Sequence, residues 1–155
     1  MAILDIVIAG VAASATCDLC QGALRKFAGL PTTNWRLVGR WIAHMRRGIF
    51  VHAAIGEVTP APHEWALGWA FHYCVGIAYA GFYTVLLDAS GWSNSLASAS
   101  TFGIATIAAP VFILQPALGL GIAARRAVRQ PAMLLVTFAS HTAFGVGLYL
   151  GFGPS

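Results

Sequence analysis

His72 and His141 each lie inside an apolar run long enough to cross a membrane, Trp65–Leu87 and Met133–Leu150. An ionisable side chain in hydrocarbon costs a few kcal/mol and faces a partner or a wet cavity. Asp18 and Gln115 interrupt two further apolar runs, so four segments each carry a polar group. Together they point to one buried polar site. Neutral imidazole, carboxylate and amide groups are ligands for metals and carriers of protons. His72, His141 and Asp18, closed by His44 or His52, have the donor types for zinc, iron or copper, and two imidazoles could hold haem between them. No HExxH, HxH or paired-acid spacing accompanies them. The same residues could equally hydrogen-bond across helices and fix the packing.

Arg40 and His44 are one helical turn apart and share a face. With Arg36 and Arg47 nearby they could hold a phosphate or carboxylate. Contact with lipid headgroups is the alternative, preferred for Arg46 and Arg47. For Arg40 a further alternative is to neutralise the buried carboxylate of Asp18. Cys17 and Cys20 form a CxxC, which in a redox enzyme makes a reversible disulfide. Inside a helix, at a reducing end, the pair reads instead as two small buried side chains, as does Cys74.

The elements that position these groups follow from composition. Only 9% of the residues are charged and 58% are hydrophobic, where a soluble domain carries about 25% charged residues. The expectation is an all-α integral membrane protein in one domain, 1–155. Spanning takes about 20 apolar residues. Four helices qualify, over about 3–24, 65–87, 96–118 and 131–150, with kinks in the third at Pro110 and Pro116. The N-terminal segment has Asp5 and no leading Lys or Arg, so it reads as a retained helix rather than a signal peptide.

Every basic residue falls between helices one and two or between helices three and four. The positive-inside rule puts that side in the cytoplasm and both termini in the periplasm. The net charge of +4 therefore reads as attraction to a membrane surface, with the bilayer as partner and no nucleic acid. In the first cytoplasmic loop, Trp35, Val38, Trp41, Ile42 and Met45 recur every three to four residues among Arg36, Arg40, His44 and Arg47. That is an amphipathic or re-entrant helix over about 34–47, ended by Gly48. Trp35, Trp41, Trp65 and Trp69 fit an aromatic belt at that face. Gly147 and Gly151 form a GxxxG that permits close packing within one chain or between protomers of a homo-oligomer.

Depth follows from 1.5 Å of rise per residue. Asp18 lies about one to two turns above the cytoplasmic end of its helix, and His72 about two turns in. Gln115 lies about one turn from that end, and His141 about 15 Å in. All four polar groups share the cytoplasmic half, with Arg40, His44 and His52 over its mouth.

These residues also carry a resemblance. Asp18, the stretch Val38–Met45 with its Gly-Arg-Trp, Gly48 with His52, Leu67–Tyr73, the Gln-Pro segment in Ala109–Gly121, and His141 followed by Phe144–Tyr149 resemble domain of unknown function 2938. Cys17 and Cys20 lie outside that pattern. The resemblance covers nearly the whole chain and implies a multi-pass protein of the bacterial inner membrane. It implies no activity. The functions left open are a membrane protein, enzyme or not, that binds a metal, haem or a small or lipidic ligand, a transporter or channel component acting as an oligomer, and a structural or assembly subunit whose polar groups only pack.

Overall fold

The computed structural model describes residues 2–153, and no strand occurs among them. Helix α1 spans Ile3–Ala28, α2 Trp35–Met45, α3 Glu64–Ser90, α4 Leu96–Ala117 and α5 Gln130–Phe152. Four of these, all but α2, are long and apolar enough to cross a membrane. The shortest, α4, has 22 residues. At 1.5 Å per residue that is about 33 Å, enough for a hydrocarbon core of about 30 Å. Their outward faces are apolar as well: Leu19, Phe82, Val85, Phe112 and Phe138 are all exposed. Helices that are apolar all round suit lipid rather than water.

The helix ends carry local signals. Asp5 accepts a hydrogen bond from the Ala2 amide at 3.0 Å, where the positive end of the dipole favours an acid. At the other end of α1, Arg25 and Lys26 sit in the last turn, and Gly29 stops the helix in the left-handed region, φ 61°. The helix therefore runs four residues past Leu24. The basic pair suits a helix C-terminus electrostatically and does not mark a loop. Ser95 and Ser98 form a reciprocal capping box at the start of α4.

Pro110 changes α4 as proline should. Lacking an N–H, it cannot bond the carbonyl of Thr106, which instead accepts from Ala109 at 3.1 Å. The helix then widens into one π-helical turn, Pro110–Leu114, closed by the Gln115 amide on the Pro110 carbonyl.

In lipid the hydrophobic effect does not drive helices together, so close approach of small residues does. Gly10 and Gly76 bring α1 against α3, and Gly103 and Gly145 bring α4 against α5. Gly147 and Gly151 seat α5 against Ala13 and Ala9 of α1, so the GxxxG face is used within the chain. The α3–α4 side is different. There Phe82, Tyr83 and Tyr79 surround Phe102, towards the end of the bundle away from the arginines. Rings fill the gap at that end, and a cavity opens where they stop.

Helix α2 lies across the first turns of α3. A Cβ on Gly39 would strike the Glu64 carbonyl, and one on Gly68 would strike the Trp35 carbonyl. The following segment returns to α4, where the amides of His52 and Ile55 cap the carbonyls of Ala117 and Leu118 at 2.9 and 3.2 Å.

Candidate functional site

The half of the bundle at the arginine-bearing end encloses a cavity of about 260 Å³ between α1, α3, α4 and α5. His72 and His141 both line it. Tyr79 and Phe144, edge to face, belong to its lining at the side where the packed aromatic core begins. Trp35 and Trp41 of α2 complete the lining at the other side. The aromatic belt expected at this face is thus divided. Trp65 is exposed, whereas Trp41 is buried and donates its indole N–H to the Phe50 carbonyl at 2.7 Å.

His72 is held on two sides. Its Nε2 lies 3.0 Å from Oδ1 of Asp18, and the ring stacks on Trp35 with centroids 4.1 Å apart. Tyr73 donates its hydroxyl to the other oxygen of Asp18 at 3.0 Å. With Asp18 as acceptor of both contacts, His72 Nε2 carries the hydrogen and Nδ1 the lone pair. Asp18 itself does not line the cavity. It orients His72 from behind.

His141 is fixed by a different logic. Its Nδ1 lies 2.7 Å from the Thr106 hydroxyl, which is 2.6 Å from the Gly103 carbonyl. A hydroxyl that close to a carbonyl donates to it. Thr106 must then accept from His141, so Nδ1 carries the hydrogen and Nε2 the lone pair. No protein group bonds that Nε2 among the described residues. Each imidazole thus lines the cavity with one nitrogen engaged and one unengaged.

The ligand atoms of Cys17, Asp18 and His72 lie within 4.8 Å of one another. This differs from the metal set expected from sequence, His72, His141 and Asp18, because Cys17 takes the place of His141. The neighbour of Asp18 on α1 reaches the group, while His141 is tied to α4 through Thr106.

The remaining expected residues go elsewhere. Arg40 neither faces Asp18 nor presents itself to an anion. It is buried, with Nε 2.9 Å and Nη2 3.2 Å from the two oxygens of Glu64, and Nη1 on the carbonyls of Val58 and Ile55. Glu64, missed in the sequence, sits on the first turn of α3 and supplies the charge that the buried guanidinium needs. His44 Nδ1 and His52 Nε2 pair at 2.9 Å, both rings buried outside the cavity lining. Burial, then the neighbouring His52, Arg47 and Arg40, hold the His44 pKa below its ordinary value. Gln115 is buried and also outside the cavity, with Oε1 unpaired.

Other groups at the cavity were not singled out in the sequence: Ser14, Gln21, Thr106 and Ser140, with Cys17, read there as a small buried side chain, beside them. Gln21 accepts the Thr33 amide at 2.9 Å and so ties the α1–α2 loop to the cavity edge. Ser14, Thr106 and Ser140 are small enough to pass as packing residues in an apolar helix.

The family model described as Protein of unknown function (DUF2938) matches residues 6–153. The chain belongs to that family. The match spans every helix that lines the cavity, so the resemblance seen in the sequence extends over the whole site. Among curated proteins, and among solved structures, no significant match is found.

Proposed function

We propose that the protein is a four-span protein of the bacterial inner membrane that binds a ligand in the cavity between its helices, with His72 and His141 as the polar contacts. One observation carries the reading: both histidines line the same largely apolar cavity, and each has one nitrogen without a protein partner. Ligand sites are typically apolar concavities with a few convergent polar groups. The arginines around the cavity-bearing end, by the positive-inside rule, support a cytoplasmic-leaflet position for it and periplasmic termini. The far half is packed by Tyr83, Leu87 and Leu148, which favours a binding site over a path across the membrane.

The test uses 1-bromooctane, whose bromine quenches an indole on contact. In a variant whose other tryptophans are Phe, Trp35 should be quenched. Val75→Phe, on the cavity wall, should protect it. Equal quenching with and without Val75→Phe would overturn the reading.

The Cys17, Asp18 and His72 group supports a second reading, a metal ion at the edge of the same cavity. Zinc or copper bound by the purified protein and lost in Cys17→Ser would support it. Equal metal content in the variant would end it.

A further inference from the structure

A second chamber lies beside the first. It has a volume of about 490 Å³ and is lined by Arg25, Arg36, Thr32, Thr33, Trp65 and Trp69, with Asn34 and Trp35 completing it. It differs from the cavity in chemistry. Arg25 and Arg36 belong to its lining, and neither forms a salt bridge with an acid among the described residues. Among the described residues the acid–base contacts are Arg40 with Glu64 and His72 with Asp18. Unpaired arginines beside hydroxyl groups match a phosphate, whose oxygens accept several charge-assisted hydrogen bonds. The α2 helix starts here, so its positive dipole end adds to the same field.

The two chambers adjoin. Thr33 and Trp35 line both. On one side of that shared wall stand two arginines, and on the other the apolar lining of the cavity. The cavity wall is thin towards the outer surface of the bundle: Ile113, in the π turn of α4, lines the cavity and is also 61% exposed. A chain in the cavity would place its head at the level of Trp65 and Trp69, residues of the interfacial kind that line the second chamber. At about 260 Å³ the cavity has room for a short alkyl segment.

The geometry points to an anionic amphiphile with a phosphate head as the ligand, the phosphate between Arg25 and Arg36 and the proximal alkyl chain in the cavity beside His72 and His141. This rests on the cavity-binding reading above and adds the head site and the ligand class to it. The phosphate belongs to a lipid rather than to free phosphate, because the arginine chamber shares Thr33 and Trp35 with a largely apolar cavity whose wall includes the exposed Ile113.

Calorimetric titration of the full chain in neutral detergent with dodecyl phosphate, dodecanol and inorganic phosphate tests this. Dodecyl phosphate should bind one per chain, and Arg25→Gln with Arg36→Gln should weaken it by about tenfold or more, about 1.4 kcal/mol or more. Dodecanol binding should be unchanged in that variant. Val75→Phe should weaken both dodecyl compounds. Both arginines are exposed at the surface, so the variant should fold, which a thermal melt without ligand verifies. Inorganic phosphate bound as tightly as dodecyl phosphate would overturn the lipid assignment. Dodecyl phosphate indifferent to the arginine changes but weakened by Val75→Phe would overturn the head site and leave the cavity reading standing. Indifference to Val75→Phe as well would overturn both.

Discussion

The imidazole of His72 lies against the indole of Trp35 with the planes 26° apart, and on α1 its Nε2 meets Asp18 at 3.0 Å. One side chain thus joins three helices: α2 by stacking, α1 by a charge-assisted hydrogen bond and α3 by its own backbone. A histidine so constrained lines the cavity in a fixed orientation.

Asp18 should therefore act as an orienting acceptor. Asp18→Leu leaves both His72 Nε2–H and the Tyr73 hydroxyl without their acceptor, at about 1–3 kcal/mol each. Asp18→Asn retains an acceptor oxygen and should cost a fraction of that. Denaturant unfolding in detergent compares the two, and equal losses would contradict the assignment.

The proton position on His141 is open to direct measurement. Thr106→Val removes the acceptor of Nδ1–H while preserving shape. Two-bond proton–nitrogen spectra should show a single Nδ1–H tautomer in the parent and a tautomer mixture in the variant. Stability should fall by about 1 kcal/mol. A parent spectrum dominated by Nε2–H would refute the Thr106 relay.

Arg40 and Glu64 form a buried pair, their side chains 8% and 9% exposed. Arg40→Met or Glu64→Leu alone should destabilise by about 3–5 kcal/mol, because each strands a buried charge. Both together should cost less than the sum of the two. A double-mutant cycle measures the coupling, and additivity would show that the pair is not coupled.

His44 predicts the pH response of the α2 lid. Its folded pKa lies below its unfolded value, so the folded state binds fewer protons in the window between them. Its contribution is fully present above the unfolded pKa of about 6.5 and is lost as pH falls through that value towards the folded one. The melting temperature should thus be flat above about pH 7 and decline below about 6.5, with a smaller decline in His44→Gln. Identical profiles would remove His44 as the source.

The crossing of α2 and α3 should not tolerate a methyl group. Gly39→Ala places its Cβ into the Glu64 carbonyl, and the helices must separate, at about 1–3 kcal/mol. The companion effect is loss of quenching contrast at Trp35, since that residue rides on the same helix. An unchanged melt would show that the contact is slack.

Much of the frame was legible in the chain. Four apolar runs, a basic set confined to two of the connections and the 3.6-residue pattern of α2 are one-dimensional signals, because bilayer thickness and helical rise act on each segment alone. The common depth of His72 and His141 is of the same kind, since axial position follows from counting residues. Rotation about each helix axis does not. In helices that are apolar all round, no polar face says which way a side chain points, so Asp18 with Tyr73, and His141 with Thr106, could not be paired in advance. The same limit explains Arg40. Its spacing with His44 suggested an outward anion site, whereas burial against α3 gave it Glu64.

Sequence alone, then, determined that four segments can span a membrane and that they carry polar groups at one depth, because hydrophobic length and helical rise are local properties. Only the tertiary structure decided which polar groups meet. It set His72 and His141 across one cavity, put Cys17 beside Asp18, moved Arg40 onto Glu64 and left Arg25 and Arg36 lining a chamber without an acid. Those outcomes depend on helix rotation and close packing at Gly10, Gly39, Gly76 and Gly103, which arise only when the helices touch.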